Sequence, residues 1–440
     1  MLIQQNLFPE NLQLAEIMRL NESGIDTGDI KNRIEEAIQT GIFSQFEETF
    51  WRELEDLSRK PSCYYEPSDW ETIQQLKPSS SPVKEIHLDE ETLFDHIYGA
   101  WLGRCAGCVL GKPVENWHRE KIEAYLNSVN AYPLTSYIPQ RTPFLEGLHL
   151  HPCHLVATLG NIHFMPRDDD IDYTILGLHI LETYGKDFTS DQVALATINN
   201  LPFNLVYTAE AIAYRNLING LLPPKTASFH NPYQEWIGAQ IRADVWGYTN
   251  PGNPPQAAEW AYRDALYTHT GIGIYGEMWA AACIAAAFVE GDPQKIILAG
   301  LNEIPRENRL TQAIIDTLNW LEKLNDWRGV WELIQSKYGH YHPIHIIPNT
   351  CFIVMGPITG EGNFEKSICN TVMAGGDTDC TGATVGSIIG AICGSKNLPE
   401  KWIAPLNDRV KSLILNFQDV KISDLAKQTV KIINSDEYKR

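Results

Sequence analysis

Basic side chains are scarce in this 440-residue sequence: 35 Lys and Arg face 55 Asp and Glu, a formal net charge of −20. The deficit argues against nucleic acid or an anionic membrane as the main partner, since both are bound through excess positive charge. A phosphate-bearing substrate held through metal ions and backbone N–H groups is left open. Long apolar runs are also missing; the longest, near 280–289 and 383–393, are too short to span a bilayer, so no membrane partner is expected. Met1–Glu10 has no basic region leading into an apolar core, which predicts no secretory leader. No paired cysteine framework stands out: nine cysteines, an odd number, are scattered through mostly apolar segments, which predicts reduced thiols and a cytoplasmic setting. Cys105-x-x-Cys108 has redox or zinc spacing, but no second pair or His-rich partner is near it, and it reads as core. Sustained strand-like alternation is absent as well.

What is present is helical. With 44% hydrophobic and 20% charged residues, the chain can bury a large core. Residues 1–85 read as an N-terminal helical extension and linker. Ile30, Ile34, Ile38, Phe46, Phe50, Leu54 and Leu57 keep near-helical spacing, and Pro61, Pro67, Pro78 and Pro82 break up a following strap. Residues 86–440 read as one domain of successive helices, predicted over 93–102, 205–217, 234–246, 255–267, 276–289, 307–324, 327–338, 364–374, 399–415 and 423–433. Thr189-x-x-Gln192 is a capping box opening another. The expected fold is all-α, a compact orthogonal helical array with an added N-terminal helical segment.

Two acidic clusters stand at predicted helix starts. Asp168, Asp169, Asp170 and Asp172 precede and enter an apolar face of Ile171, Ile175, Leu178 and Leu181. The helix dipole stabilises one or two carboxylates there, but four repel one another, and hard divalent cations bind such oxygen clusters. Gly375-Gly376-Asp377-Thr378-Asp379-Cys380-Thr381 places two more aspartates behind a double glycine and ahead of a helix over 383–393. Earlier, Gly99, Gly103, Gly107 and Gly111 recur on one helix face, which reads as close helix packing; Pro113 ends that helix and Glu115 follows in a loop. His149, His151 and His154 match no tight zinc template and read as loop or core histidines. His269, in a Gly-rich turn, reads equally as a site residue or a cap, and Asn349 or Thr350 as a cap.

In this order, Gly107–Glu115, Asp168–Asp172, His269 and Gly375–Cys380 resemble the motif series of the ADP-ribosylglycohydrolase family, over about residues 90–395. The resemblance implies that family's all-α fold and two Mg²⁺ or Mn²⁺ ions held between the helix starts. It implies ligands among Asp168, Asp169, Asp170, Asp377, Asp379 and Thr381, catalytic roles for Glu115, Asp170 and Asp379, and substrate contacts from His269, Gly375, Gly376 and Thr378. The implied reaction is hydrolysis of an N- or O-glycosidic bond at the ribose of an ADP-ribosylated protein or a small ADP-ribosyl or ribosyl compound. Two other readings stand beside it: a non-catalytic, crystallin-like member, and a hydrolase of free nucleosides. Two residues and one stretch depart from the family pattern. Cys108 replaces an Asp, Cys380 replaces a Thr that ligates metal in the family, and Asp168-Asp-Asp-Ile-Asp replaces Thr-Asp-Asp-Thr, so that Asp172 is an alternative ligand.

Overall fold

The computed structural model describes residues 4–59, 64–78, 88–141, 147–324 and 326–435. The expected boundary between residues 85 and 86 lies outside the described residues. The fold is all-α, as expected; the described strands are only two or three residues long and pair into two small antiparallel ribbons. Most predicted helices recur within a few residues, among them Pro254–Ala265, Trp327–Tyr338 and Phe364–Met373.

Two predicted helices do not form as expected. Over 399–415 the chain makes only a turn of helix at Glu400–Ile403, and then Arg409–Lys411 pairs with Asp419–Lys421. Asn407 and Asp408 both have φ +50°, which ends the helical path. The Asp408 carboxylate secures the turn by accepting from Tyr98 Oη (2.9 Å) and from the Ser423 N–H (2.8 Å). Over 234–246, pairing with a distant segment wins over local helix. The Ile237 N–H donates to the Ile344 carbonyl and the Ile346 N–H to that of Glu235, leaving only Gln240–Arg242 and Asp244–Tyr248 as short helical turns. Among the described residues no helix is long and apolar enough to cross a membrane, and the described cysteines are free thiols.

The central packing event joins Glu90–Gly111 to Thr378–Cys393, running antiparallel. The predicted glycine stripe meets a second stripe, backbone against backbone. A Cβ added at Gly103 would lie 2.1 Å from the Gly386 carbonyl oxygen, and one at Gly107 would lie 1.9 Å from that of Gly382. Because the obstacle is backbone on both sides, no rotamer change can relieve it. The contact continues to the end of the first helix, where Thr378 Oγ1 donates to the Gly111 carbonyl at 2.8 Å.

The N-terminal helices Pro9–Glu22, Ile30–Gln39 and Phe43–Ser58 enclose a small core of their own. They seat it on Ala209, Ile212, Tyr233 and Trp236, and Trp51 stacks on His230 with ring centroids 3.9 Å apart. The strap behind them is pinned to the body: Arg309 pairs with both Glu66 (2.6 Å) and Glu235 (2.9 Å), and Lys77 with Glu303 (2.8 Å). Glu22 is buried in the same seam, where its Oε1 accepts the His342 N–H at 2.7 Å. Burial, with the nearby Glu235 charge, pushes its pKa up to about 7.

Two predictions follow from this packing. Gly107→Ala should destabilise the protein by about 3 kcal/mol or prevent folding, read from denaturant midpoints, whereas Ala at the open Gly160 position should act only through its positive φ. Glu22 is protonated more readily folded than unfolded, so its contribution is full below about pH 4.5 and is lost as pH rises to about 7. Glu22→Gln should flatten that fall in stability, and an unchanged pH profile of the melting temperature would contradict it.

Candidate active site

The glycine contact delivers one turn of chain to the start of the other helix. Beyond Gly111, the 3-10 turn Lys112–Val114 leads to Glu115, and Trp117–His118 then pairs antiparallel with Gly375–Gly376. Gly375 has φ +81°, and a Cβ there would lie 2.5 Å from the Trp117 carbonyl oxygen, so this pairing requires glycine. The Asn116 N–H donates to the Gly376 carbonyl at 2.9 Å, which holds the Glu115 loop against Asp377.

The second cluster arrives on Asp169–Tyr184. Asp168 caps this helix, its Oδ1 accepting the Asp170 N–H at 3.1 Å, and its Oδ2 is bonded to Lys112 Nζ. Asp170 is buried; Arg104 Nη2 lies 3.3 Å from its Oδ1, and the Cys380 thiol donates to its Oδ2 at 3.3 Å. Opposite, Asp377 stands at the N-cap position of Thr378–Cys393, its N–H donating to Asn349 Oδ1 at 3.1 Å. Asp379 is 5% exposed and its Oδ1 has no hydrogen-bond partner. Glu115, Asp169, Asp170, Asp377, Asp379 and Cys380 all line one cavity of about 380 Å³, a volume suited to a small-molecule ligand.

So many carboxylates in one buried place resist ionisation. The Asp379 charge first, and burial second, push Glu115 up to about 9; burial and then Asp168 push Asp169 to about 7. Burial raises Asp170 and Asp377 well above the carboxylate range. Asp168 is the exception: burial opposes its charge, but Lys112 and Arg167 hold its pKa below the ordinary value. The donor atoms fall into two groups, Cys108 with Asp168 and Asp170, and Asp377 with Asp379 and Cys380; within each, the atoms lie within 4.8 Å of one another. Buried carboxylates short of positive charge, one with an orphaned oxygen, suit a hard divalent cation; the two thiols do not.

The family model for ADP-ribosylglycohydrolase matches residues 89–435. The chain belongs to the ADP-ribosylglycohydrolase family. An uncharacterized protein of Archaeoglobus fulgidus is 24% identical over 200 residues, 45% of this chain and 60% of that protein's length. A solved ADP-ribosylglycohydrolase-related protein complex is similar over 78% of this chain and 98% of its own, at 15% identity and a TM-score of 0.48.

Against the motif series of the ADP-ribosylglycohydrolase family, several residues fall elsewhere than expected. His269 is fully buried and does not line the cavity. Its Nε2 accepts the Ala239 N–H at 3.3 Å and its Nδ1 meets Thr268 Oγ1 at 2.7 Å, so it braces the wall behind the cavity. Asp172 points away, into a pair with Arg167 (2.7 Å) and a bond from the Leu413 N–H (2.8 Å), and so is no substitute ligand. Thr378 and Thr381 are buried and hydrogen-bonded to the carbonyls of Gly111 and Asp377, and neither lines the cavity. Gly375 and Gly376 shape the turn without lining the cavity. Asn349, read as a cap, sits inside a helix that begins at Ile346 and serves Asp377 instead.

Other lining residues carried no motif. His154, Tyr173, Tyr207, Thr208 and Glu210 form the far wall with Ile237 and Ile344. Glu210 is tied to Arg242 at 2.6 Å, and Thr208 holds φ +43°, strained for a β-branched residue. The three-histidine run was the one available signal for His154.

Asn349→Ala should leave the Asp377 N–H without its partner and loosen the second donor group. Mn²⁺ affinity is expected to fall about 10- to 100-fold, read by titration calorimetry with the fold checked by circular dichroism.

Proposed function

We propose that this chain is a divalent-metal-dependent glycohydrolase that cleaves the N- or O-glycosidic bond at the ribose of an ADP-ribosyl or related ribosyl compound, free or on a protein. The observation that supports it most is the convergence of Glu115, Asp170, Asp377 and Asp379 on one cavity in a member of the ADP-ribosylglycohydrolase family. We read residues 86–440 as the catalytic domain, residues 1–85 as an appended helical extension, and the reduced thiols as suiting a cytoplasmic enzyme.

Bound Mg²⁺ or Mn²⁺, up to two ions with one at each donor group, would orient ribose hydroxyls and lower the pKa of a water. The remaining work falls to the chain. Cleavage builds oxocarbenium character on the ribose, which the surrounding carboxylates stabilise. Glu115 is half-buried at the cavity edge, and its Oε1 accepts from Asn116 Nδ2 at 3.2 Å, so it is positioned and still reachable. It can take a proton from the attacking water or deliver one to the leaving group. Tyr173 and Ile241, on the inner wall, keep bulk water from the reacting centre.

The protein should be incubated with ADP-ribosyl-arginine, ADP-ribosyl-serine and free nucleosides, with and without Mg²⁺. Product from an ADP-ribosyl compound only with Mg²⁺ is expected, and Asp379→Asn should lower that rate at least about 100-fold. Product from nucleosides alone would shift the substrate class, and no product in any tube would favour a non-catalytic role.

A further inference from the structure

The two donor groups differ in how much of their charge is already balanced. At the first group both oxygens of Asp168 are in use, Oδ1 by the Asp170 N–H and Oδ2 by Lys112 Nζ. Asp170 shares with Asp244 the charge of Arg104, a fully buried guanidinium that also donates to the Asp170 and Ile241 carbonyls at 2.7 and 2.6 Å. What remains there is Cys108, a thiol, which is a poor donor to a hard ion. Lys112 is not a surface side chain folded inward by chance. It opens the 3-10 turn that follows the glycine contact, its side chain is 15% exposed, and it lines the cavity beside Glu115. The second group is different. Among the described residues no basic side chain forms an ion pair with Asp377 or Asp379, and Asp379, which lines the cavity, keeps a buried oxygen, Oδ1, without a hydrogen-bond partner.

We propose that the Lys112 ammonium is a built-in cation standing in for one of two divalent ions, so that each chain binds a single ion, at Asp377 and Asp379. This rests on the metal dependence proposed above but changes the count and the place. An ammonium bonded to Asp168 and a dication beside the same carboxylate would repel each other strongly in a site with little water to screen them. Lys112 supplies charge there without ligand geometry, exchange or loss to chelators, and leaves Asp377 and Asp379 to select the ion.

The test counts ions rather than turnover. Equilibrium dialysis with Mn²⁺, with electron paramagnetic resonance on the same samples, should give one ion per native chain and the spectrum of an isolated Mn²⁺. Lys112→Met keeps most of the aliphatic stem and removes the charge; it should bind two ions and show exchange coupling between them. Asp379→Asn should lose the ion from the native count, which locates it. Two coupled ions in the native protein would overturn the inference alone, whether or not the Lys112→Met protein folds. One ion in both native and Lys112→Met proteins would also overturn it. No ion in either would overturn the metal reading and this inference with it.

Discussion

The backbone contact between Glu90–Gly111 and Thr378–Cys393 is the constraint on which the site depends. Side chains between two helices can repack, but two glycine stripes in direct contact fix both spacing and register. With register fixed, the last turn of one helix must end at the first turn of the other. The Thr378 hydroxyl on the Gly111 carbonyl marks that meeting point. Glu115 is then brought to Asp377 and Asp379 by four residues of chain rather than by a long loop. The short ribbon at Gly375–Gly376 is the second fastening of the same joint.

Holding four aspartates and two glutamates around one cavity is costly, and the fold offsets the cost with cations drawn from several elements. Arg104 comes from the glycine-striped helix and is shared between Asp170 and Asp244, 2.7 Å from the latter. Arg167 takes Asp172 out of the cluster. Behind the cavity, Arg242 is surrounded by Glu210, Asp264 and Glu277, at 2.6, 3.1 and 3.6 Å. Glu210 joins this network to the cavity wall, and the N-terminal helices press on the same wall through Ala209 and Ile212. The extension is therefore continuous in packing with the far side of the site, though it lies before the matched family span.

Much of this was legible because it is local. Aspartates crowded at a helix start, glycines four apart, and a Gly-Gly before an apolar helix each carry their meaning within a dozen residues. The partner of the first glycine stripe was in plain sight at Gly382, Gly386 and Gly390, yet periodicity alone does not say which helices meet. Direction was also hidden. Asp170 and Asp172 are two residues apart on one helix, so they point to different sides, and only packing shows which side is the cavity. Long-range pairing explains why 234–246 failed to become a helix, and the paired left-handed residues Asn407 and Asp408 explain the break in 399–415. Glu210 and Tyr207 reach the cavity from a helix and its cap with no motif, and Tyr173, though it follows the acidic cluster on Asp169–Tyr184, has nothing in its residue type to single it out.

The departures from the family pattern become coherent when charge is counted. Cys108 stands where the ADP-ribosylglycohydrolase pattern resembled by this chain has an Asp, so one negative charge is gone. Lys112, four residues on, contributes a positive one at Asp168. Asp168, where the pattern has a Thr, adds a negative charge, and it is the one that Lys112 meets directly. Cys380, in place of a ligating Thr, removes a hard donor from the second group, and its thiol donates a hydrogen bond to Asp170 instead. Each donor group thus contains one thiol, while the ammonium is bonded within the first group alone and Asp377 and Asp379 keep the pattern. A site that had merely decayed would lose carboxylates; here they persist on both sides, Asp168 and Asp170 beside basic side chains and Asp377 and Asp379 without an ion pair among the described residues.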